Sequence, residues 1–188
     1  MANKKIPNGR AAVEALYGNP RGTAGKASAI WERNNLVVID IPFAMRASWD
    51  LNGKPITRLQ IHKLAADDLK SILGEIWAYA RLEVKRRWGF DSRTSAQYDE
   101  LTHAWLKERN LNVLGGTYNF REIRGSSGLS MHAYGIAIDI DPANNALGDT
   151  TPSMPKWVVD IFESKGWLWG GKFAGRKDGQ HFQRATGV

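Results

Sequence analysis

Ser130-Met131-His132-Ala133-Tyr134-Gly135-Ile136-Ala137-Ile138-Asp139-Ile140-Asp141 is the stretch on which the reading of this chain turns. From Gly135 onward it alternates strictly. That predicts a strand with Ile136, Ile138 and Ile140 on one face and Gly135, Ala137, Asp139 and Asp141 on the other. The aliphatic face is expected in a core. The opposite face carries either almost no side chain or a carboxylate, which leaves a hollow with acid at one end. His132 stands just before the strand. An imidazole and a carboxylate over a floor of glycine and alanine suit a metal with an open coordination position, because bulkier side chains would take the room of water and substrate.

Upstream, residues 114–128 mix glycines with aromatics and two arginines, Arg121 and Arg124, and are expected to form a loop and short strand beside a site. Downstream, Asp141-Pro142 ends the strand. Asp139-x-Asp141 also opens a calcium-loop pattern, but that pattern wants Asp or Asn and then Gly where this chain has Ala143 and Asn144. Calcium is therefore the weaker reading. In the tail, Asp178-Gly179 alone is a hairpin turn, and His181 alone is a strand histidine with a satisfied ring. Taken with His132 and Asp139, the same residues supply a third ligand and a nearby carboxylate. The chain has no Cys, so a transition metal would have to be held by His and carboxylate. A hydrolytic zinc site needs three protein ligands, a water, and a base that does not bind the metal. His132, Asp139 and His181 fill the first role and Asp178 is the candidate base. A cation beside the reacting carbonyl would stabilise the charge it gains; Arg121 is the first choice and Arg124 the second.

Ser130-x-His132-x-x-Gly135-x-Ala137-x-Asp139, followed by Asp178-x-x-His181, resembles the zinc peptidases of family M15, the D-alanyl-D-alanine carboxypeptidases and L-alanyl-D-glutamate endopeptidases, including VanY-like enzymes and phage endolysins. Trp169-Gly170-Gly171 and Phe182 look like the same family's C-terminal segment, so the resemblance covers about residues 117 to 183. It implies an α+β fold of the Hedgehog/DD-peptidase-like kind, a small antiparallel sheet flanked by helices. It also implies zinc (Zn2+) on His132, Asp139 and His181, Asp178 as base, and Ser130 close to metal or substrate. Arg124, Tyr118 and Trp169 join Ser130 as expected substrate-binding residues. Many carboxypeptidase members carry glutamate where this chain has Asp178, which looks more like the endopeptidase and endolysin branch. The expected activity is therefore cleavage of the peptidoglycan stem peptide at the L-Ala-D-Glu bond, as a phage or prophage lysis enzyme. A D-Ala-D-Ala carboxypeptidase and a non-catalytic envelope-binding phage module are the alternatives.

Composition sets the frame. A chain of 188 residues with 43% hydrophobic and 24% charged residues is expected to build one core: an arm or wrapping segment over 1–30 and a single catalytic domain over 31–188. A monomer is expected. The formal charge of +7 favours polyanionic surroundings, here an anionic cell envelope. The basic residues are scattered, apart from Lys4-Lys5 and Lys85-Arg86-Arg87, and are not interleaved with stacking aromatics, so no dedicated nucleic-acid site is expected. No apolar run follows the N-terminal lysines and none is long enough to span a bilayer. Synthesis in the cytoplasm and action on the wall after release are the corresponding expectation.

Along the chain, Ala11–Tyr17 predicts a short helix and Leu36–Phe43 a strand, with Pro42 pointing to an edge or exit. Leu69, Ile72, Leu73, Ile76, Trp77 and Ala80 form an apolar stripe that predicts the longest helix within 64–86, its basic run a solvated helix end. His62, just before it, is expected to be a packing or surface residue. A second helix is expected from Ser95 to about Asn110 with His103 exposed, and a third from Met154 to Lys165, capped by Ser153 and ended by Gly166.

Overall fold

A computed structural model describes residues 6–89 and 94–188. The Lys4-Lys5 pair lies outside them. Among the described residues there are five α-helices and one six-stranded sheet. In chain order these are α1 (Arg10–Tyr17), α2 (Ala29–Asn35), β1 (Leu36–Ala47), β2 (Ile56–His62), α3 (Ala66–Trp88), α4 (Ser95–Glu108), β3 (Val113–Gly116), β4 (Ala137–Ile140), α5 (Lys156–Ser164), β5 (Leu168–Trp169) and β6 (His181–Gln183). The sheet order is β2-β1-β3-β4-β6-β5. Every pairing is antiparallel except β1 with β3. The sheet is thus mixed rather than purely antiparallel: the excursion through β2, α3 and α4 brings the chain back into β3 in the direction of β1, as a crossover of that length allows.

The stripe on α3 is buried as its spacing predicts, with Leu69, Ile72, Leu73, Ile76, Ala80 and Val84 in the core. The helix starts at Ala66 and runs to Trp88, where Gly89 leaves it at φ +84°. Of the eight Trp, Trp31, Trp105 and Trp167 are buried, while Trp77, Trp88, Trp157 and Trp169 lie partly buried against the core. Trp49 alone among them is 71% exposed. Most of the aromatic rings serve as packing area: the Tyr79 and Trp157 rings stack at 4.1 Å, as do Phe162 and Phe182 at 3.9 Å.

Three local expectations are corrected. β1 is not an edge strand, since it pairs with both β2 and β3. Pro42 is accommodated because the ladder to β2 is interrupted between Asp40 and Met45, where a missing N–H costs no bond. Ser153 does not cap α5; its hydroxyl donates to the Asn144 carbonyl, and Pro155 stands at the N-cap, where no N–H is needed. The opening strand is shorter than its alternation suggests. Met131–Tyr134 form a 3-10 turn, Gly135 turns out of it in the left-handed region at φ +63°, and extended backbone begins at Ala137. A side chain at Gly135 would also meet the His62 backbone nitrogen at 3.0 Å, so glycine is required there twice over.

Segment 6–30 is part of the globule. Val13 and Tyr17 of α1 are core residues. The Tyr17 carbonyl receives the Trp31 indole N–H at 2.9 Å and lies 3.2 Å from His62 Nε2. His62 is fully buried, and its Nδ1 accepts from the Leu64 N–H at 3.1 Å. Burial pulls its pKa down to about 4, against the small opposing pull of the Tyr17 carbonyl. His103 is exposed and rests on the Trp77 ring.

Candidate active site

β4 positions Asp139. Its neighbours Ile138 and Ile140 are buried on the far face of the strand, and period-two alternation turns Ala137 and Asp139 to the other. β6 lies beside β4 with Asp139 opposite His181, which brings two residues 42 apart in sequence into contact. His132 arrives from the 3-10 turn just upstream. Ser130 caps that turn by accepting the His132 N–H at 3.3 Å, and its own N–H donates to the Arg121 carbonyl.

The three side chains converge. His132 Nε2 is 3.2 Å from Asp139 Oδ1 and 3.2 Å from His181 Nδ1, and His181 Nδ1 is 2.8 Å from Asp139 Oδ1. Among the described residues this trio forms a group able to hold a metal ion, with its ligand atoms all within 4.8 Å of one another. Two imidazole nitrogens and one carboxylate oxygen are the donor set of a hydrolytic zinc centre, so the residues fit that metal. His132 is held by its other nitrogen: Nδ1 sits 2.6 Å from the Thr117 carbonyl, which can only accept, so the proton is on Nδ1 and the lone pair on Nε2. β3 approaches Asp139 closely, which only a glycine allows. A Cβ at Gly115 of β3 would fall 2.7 Å from Asp139 Cβ.

Beside the trio opens a cleft of about 650 Å3, whose lining includes Arg121, Arg124, Ser130, Asp178 and His181. Asp178 is held from two sides. Its N–H donates to the Gly170 carbonyl at 3.0 Å, and Gly170 has room for no Cβ, which would fall 2.4 Å from the Asp178 carbonyl oxygen. The Trp169 indole donates to the Gly179 carbonyl at 2.7 Å. Trp169 therefore braces the turn carrying Asp178 and is not among the residues that line the cleft. Tyr118 is also absent from that lining; its hydroxyl donates to Glu32 of α2 at 2.7 Å, and burial with that carboxylate raises its pKa. Of the nine residues singled out from sequence, the fold gathers His132, Asp139, His181, Asp178, Ser130, Arg121 and Arg124 at the trio and cleft, and Tyr118 and Trp169 are not among the residues that line the cleft.

The electrostatics separate the two aspartates. Burial would raise Asp139, but hydrogen bonds and charge from His132 and His181 outweigh it and hold its carboxyl well below the usual range. Burial raises Asp178, and Asp139 adds to that, with only part offset by His181. One carboxylate is thus a fixed anion and the other favours taking a proton. His181 would be lowered by burial, yet Asp139, Gln183 and Asp178 together raise it. Asp141 stays out of the site: it leaves the strand at φ +50°, and its carboxylate accepts from Asn144 and Asn145.

Sequence reasoning passed over Phe173, Arg176 and Gln183, which also line the cleft. Arg176, two residues before Asp178, could have been found from that spacing. The Thr117 carbonyl could not, because a backbone acceptor leaves no trace in residue type.

Residues 124–184 match the model of an M15 peptidase family described as D-alanyl-D-alanine carboxypeptidase. The matched segment contains Ser130, His132, Asp139, Asp178 and His181 and leaves Arg121 and Tyr118 outside. No curated protein and no solved structure matches the chain.

Proposed function

We propose, on the support of the match of residues 124–184 to an M15 peptidase family, a zinc-dependent peptidoglycan peptidase that cuts the stem peptide at the L-Ala-D-Glu bond. The observation that carries this is the convergence of His132 Nε2, His181 Nδ1 and Asp139 Oδ1 beside a cleft that Asp178 lines. His132, Asp139 and His181 would hold the metal. Zinc, when bound, lowers the pKa of a water from about 15.7 to about 7 and polarises a carbonyl. Asp178, whose pKa burial raises, takes the proton of the attacking water and returns it to the leaving amine. Arg121 stands to meet the charge growing on the carbonyl oxygen, and Arg124 to hold a substrate carboxylate; both line the cleft and lie exposed to incoming substrate. Ser130 keeps the His132 turn in register with the loop that bears Arg121.

The endopeptidase reading, with a role as a phage or prophage lysis enzyme, is supported by aspartate at position 178 where the carboxypeptidase pattern has glutamate. The net charge of +7 suits approach to an anionic envelope. No helix among the described residues is long and apolar enough to cross a membrane. The second reading, release of terminal D-Ala, is favoured by the description of the matched family. Digestion of purified muropeptides, read by mass spectrometry, separates the two. Cutting between L-Ala and D-Glu is expected; free D-Ala with no internal cut would overturn the endopeptidase reading.

A further inference from the structure

β6 is only three residues long, and each of them is buried. Phe182 points to the core and stacks on Phe162, so His181 and Gln183 share the opposite face, toward the site. Gln183 is 4% exposed, and an amide so buried needs partners at both ends. Its Nε2 donates to the Ala185 carbonyl at 3.0 Å, and its Oε1 lies 2.9 Å from His181 Nε2. The order of atoms is dictated by the far end. Ala185 offers a carbonyl, which only accepts, so the amide nitrogen must face it and the amide oxygen must face His181. An oxygen facing His181 Nε2 requires the proton on that nitrogen. The lone pair is left on Nδ1, the atom that faces Asp139 Oδ1 and His132 Nε2.

We infer that Gln183 is a positioning residue of the metal centre: locked by the Ala185 carbonyl, its amide keeps the proton of His181 on Nε2 and reserves Nδ1 for the metal. The inference rests on the metal reading of the previous subsection. It gives the two histidines complementary supports. His132 offers Nε2 because the Thr117 carbonyl holds its Nδ1, whereas His181 offers Nδ1 because Gln183 holds its Nε2. The first support is backbone and no substitution removes it. The second is a side chain, so it can be tested.

Two variants and one spectrum suffice. Gln183→Met and Gln183→Leu both keep an apolar side chain of similar size in the buried position and remove the acceptor facing His181. Zinc affinity, measured by competition with a chromophoric chelator, should fall by about 10- to 100-fold in both variants. In the unaltered zinc-loaded chain, long-range 1H–15N correlation should show His181 protonated at Nε2 and bare at Nδ1. That spectrum needs no variant and stands even if Gln183→Met does not fold. Variants that fold and bind zinc as tightly as the unaltered chain would overturn the inference while leaving the metal site itself intact; a proton on Nδ1 of the zinc-loaded chain would overturn both the use of that nitrogen as ligand and the inference. An unaltered chain that takes up no zinc would overturn the metal reading, and this inference with it.

Discussion

His62 makes the stability of this fold depend on pH in a way that can be worked out in advance. Its ring is fully buried between the Tyr17 carbonyl and the Leu64 N–H, and burial lowers its pKa from 6.5 to about 4. A histidine with a depressed folded pKa is kept neutral by folding, while the unfolded chain takes the proton first. Its contribution is therefore whole above the unfolded value and is lost as pH falls from about 6.5 through about 4. That difference corresponds to about 3 kcal/mol in full, of which roughly 2 to 2.5 kcal/mol is gone by pH 4.5. Other groups titrate over the same range, so the test is a difference. Urea unfolding of the metal-free chain and of His62→Gln at pH 7.5 and 4.5 gives two changes in stability, and the unaltered chain should lose about 2 kcal/mol more than the variant. The variant is expected to be the less stable of the two at pH 7.5. Equal losses in the two chains would mean that the ring is protonated without cost in the folded state, against the depressed pKa.

Two further outcomes follow from contacts around the site. Arg184 is 3% exposed at its side chain; its Nε donates to Asp68 at 2.7 Å and its Nη1 to the Tyr17 hydroxyl at 2.8 Å, tying the segment after β6 to α3 and α1. Arg184→Met should cost about 3 kcal/mol in urea unfolding, and a loss below 1 kcal/mol would show that the network contributes little. Gly115→Ala should cost about 1 to 3 kcal/mol through overpacking against Asp139 Cβ and weaken zinc binding at least about tenfold by displacing that ligand, as calorimetric titration would show.

The parts of the fold legible in the sequence are those that a periodic pattern controls. The α3 stripe announced a long helix because each of its apolar residues had to reach one core, and the isoleucines around Asp139 announced β4 for the same reason. His132 and Asp139 were legible together because seven residues and one turn separate them, whereas the link to His181 required the pairing of β4 with β6, which a short strand does not encode. Pro42 and Ser153 misled because an interrupted ladder and a hydroxyl turned to Asn144 are decided by tertiary contacts. The bond from the Tyr118 hydroxyl to Glu32, 86 residues away, had no trace in the sequence either. Gly-, Pro- and Asn-rich composition likewise hid the fact that α1 puts Val13 and Tyr17 into the core.

In the proposed mechanism His132, Asp139 and His181 hold a zinc ion which Asp178 serves without binding it. Metal content and muropeptide cleavage, measured side by side on the unaltered chain and on Asp178→Asn, test it most directly. One zinc per chain is expected in both proteins, with cleavage only in the first. Cleavage that survives in Asp178→Asn, or an unaltered chain that cuts muropeptides while holding no metal and ignoring chelator, would contradict it.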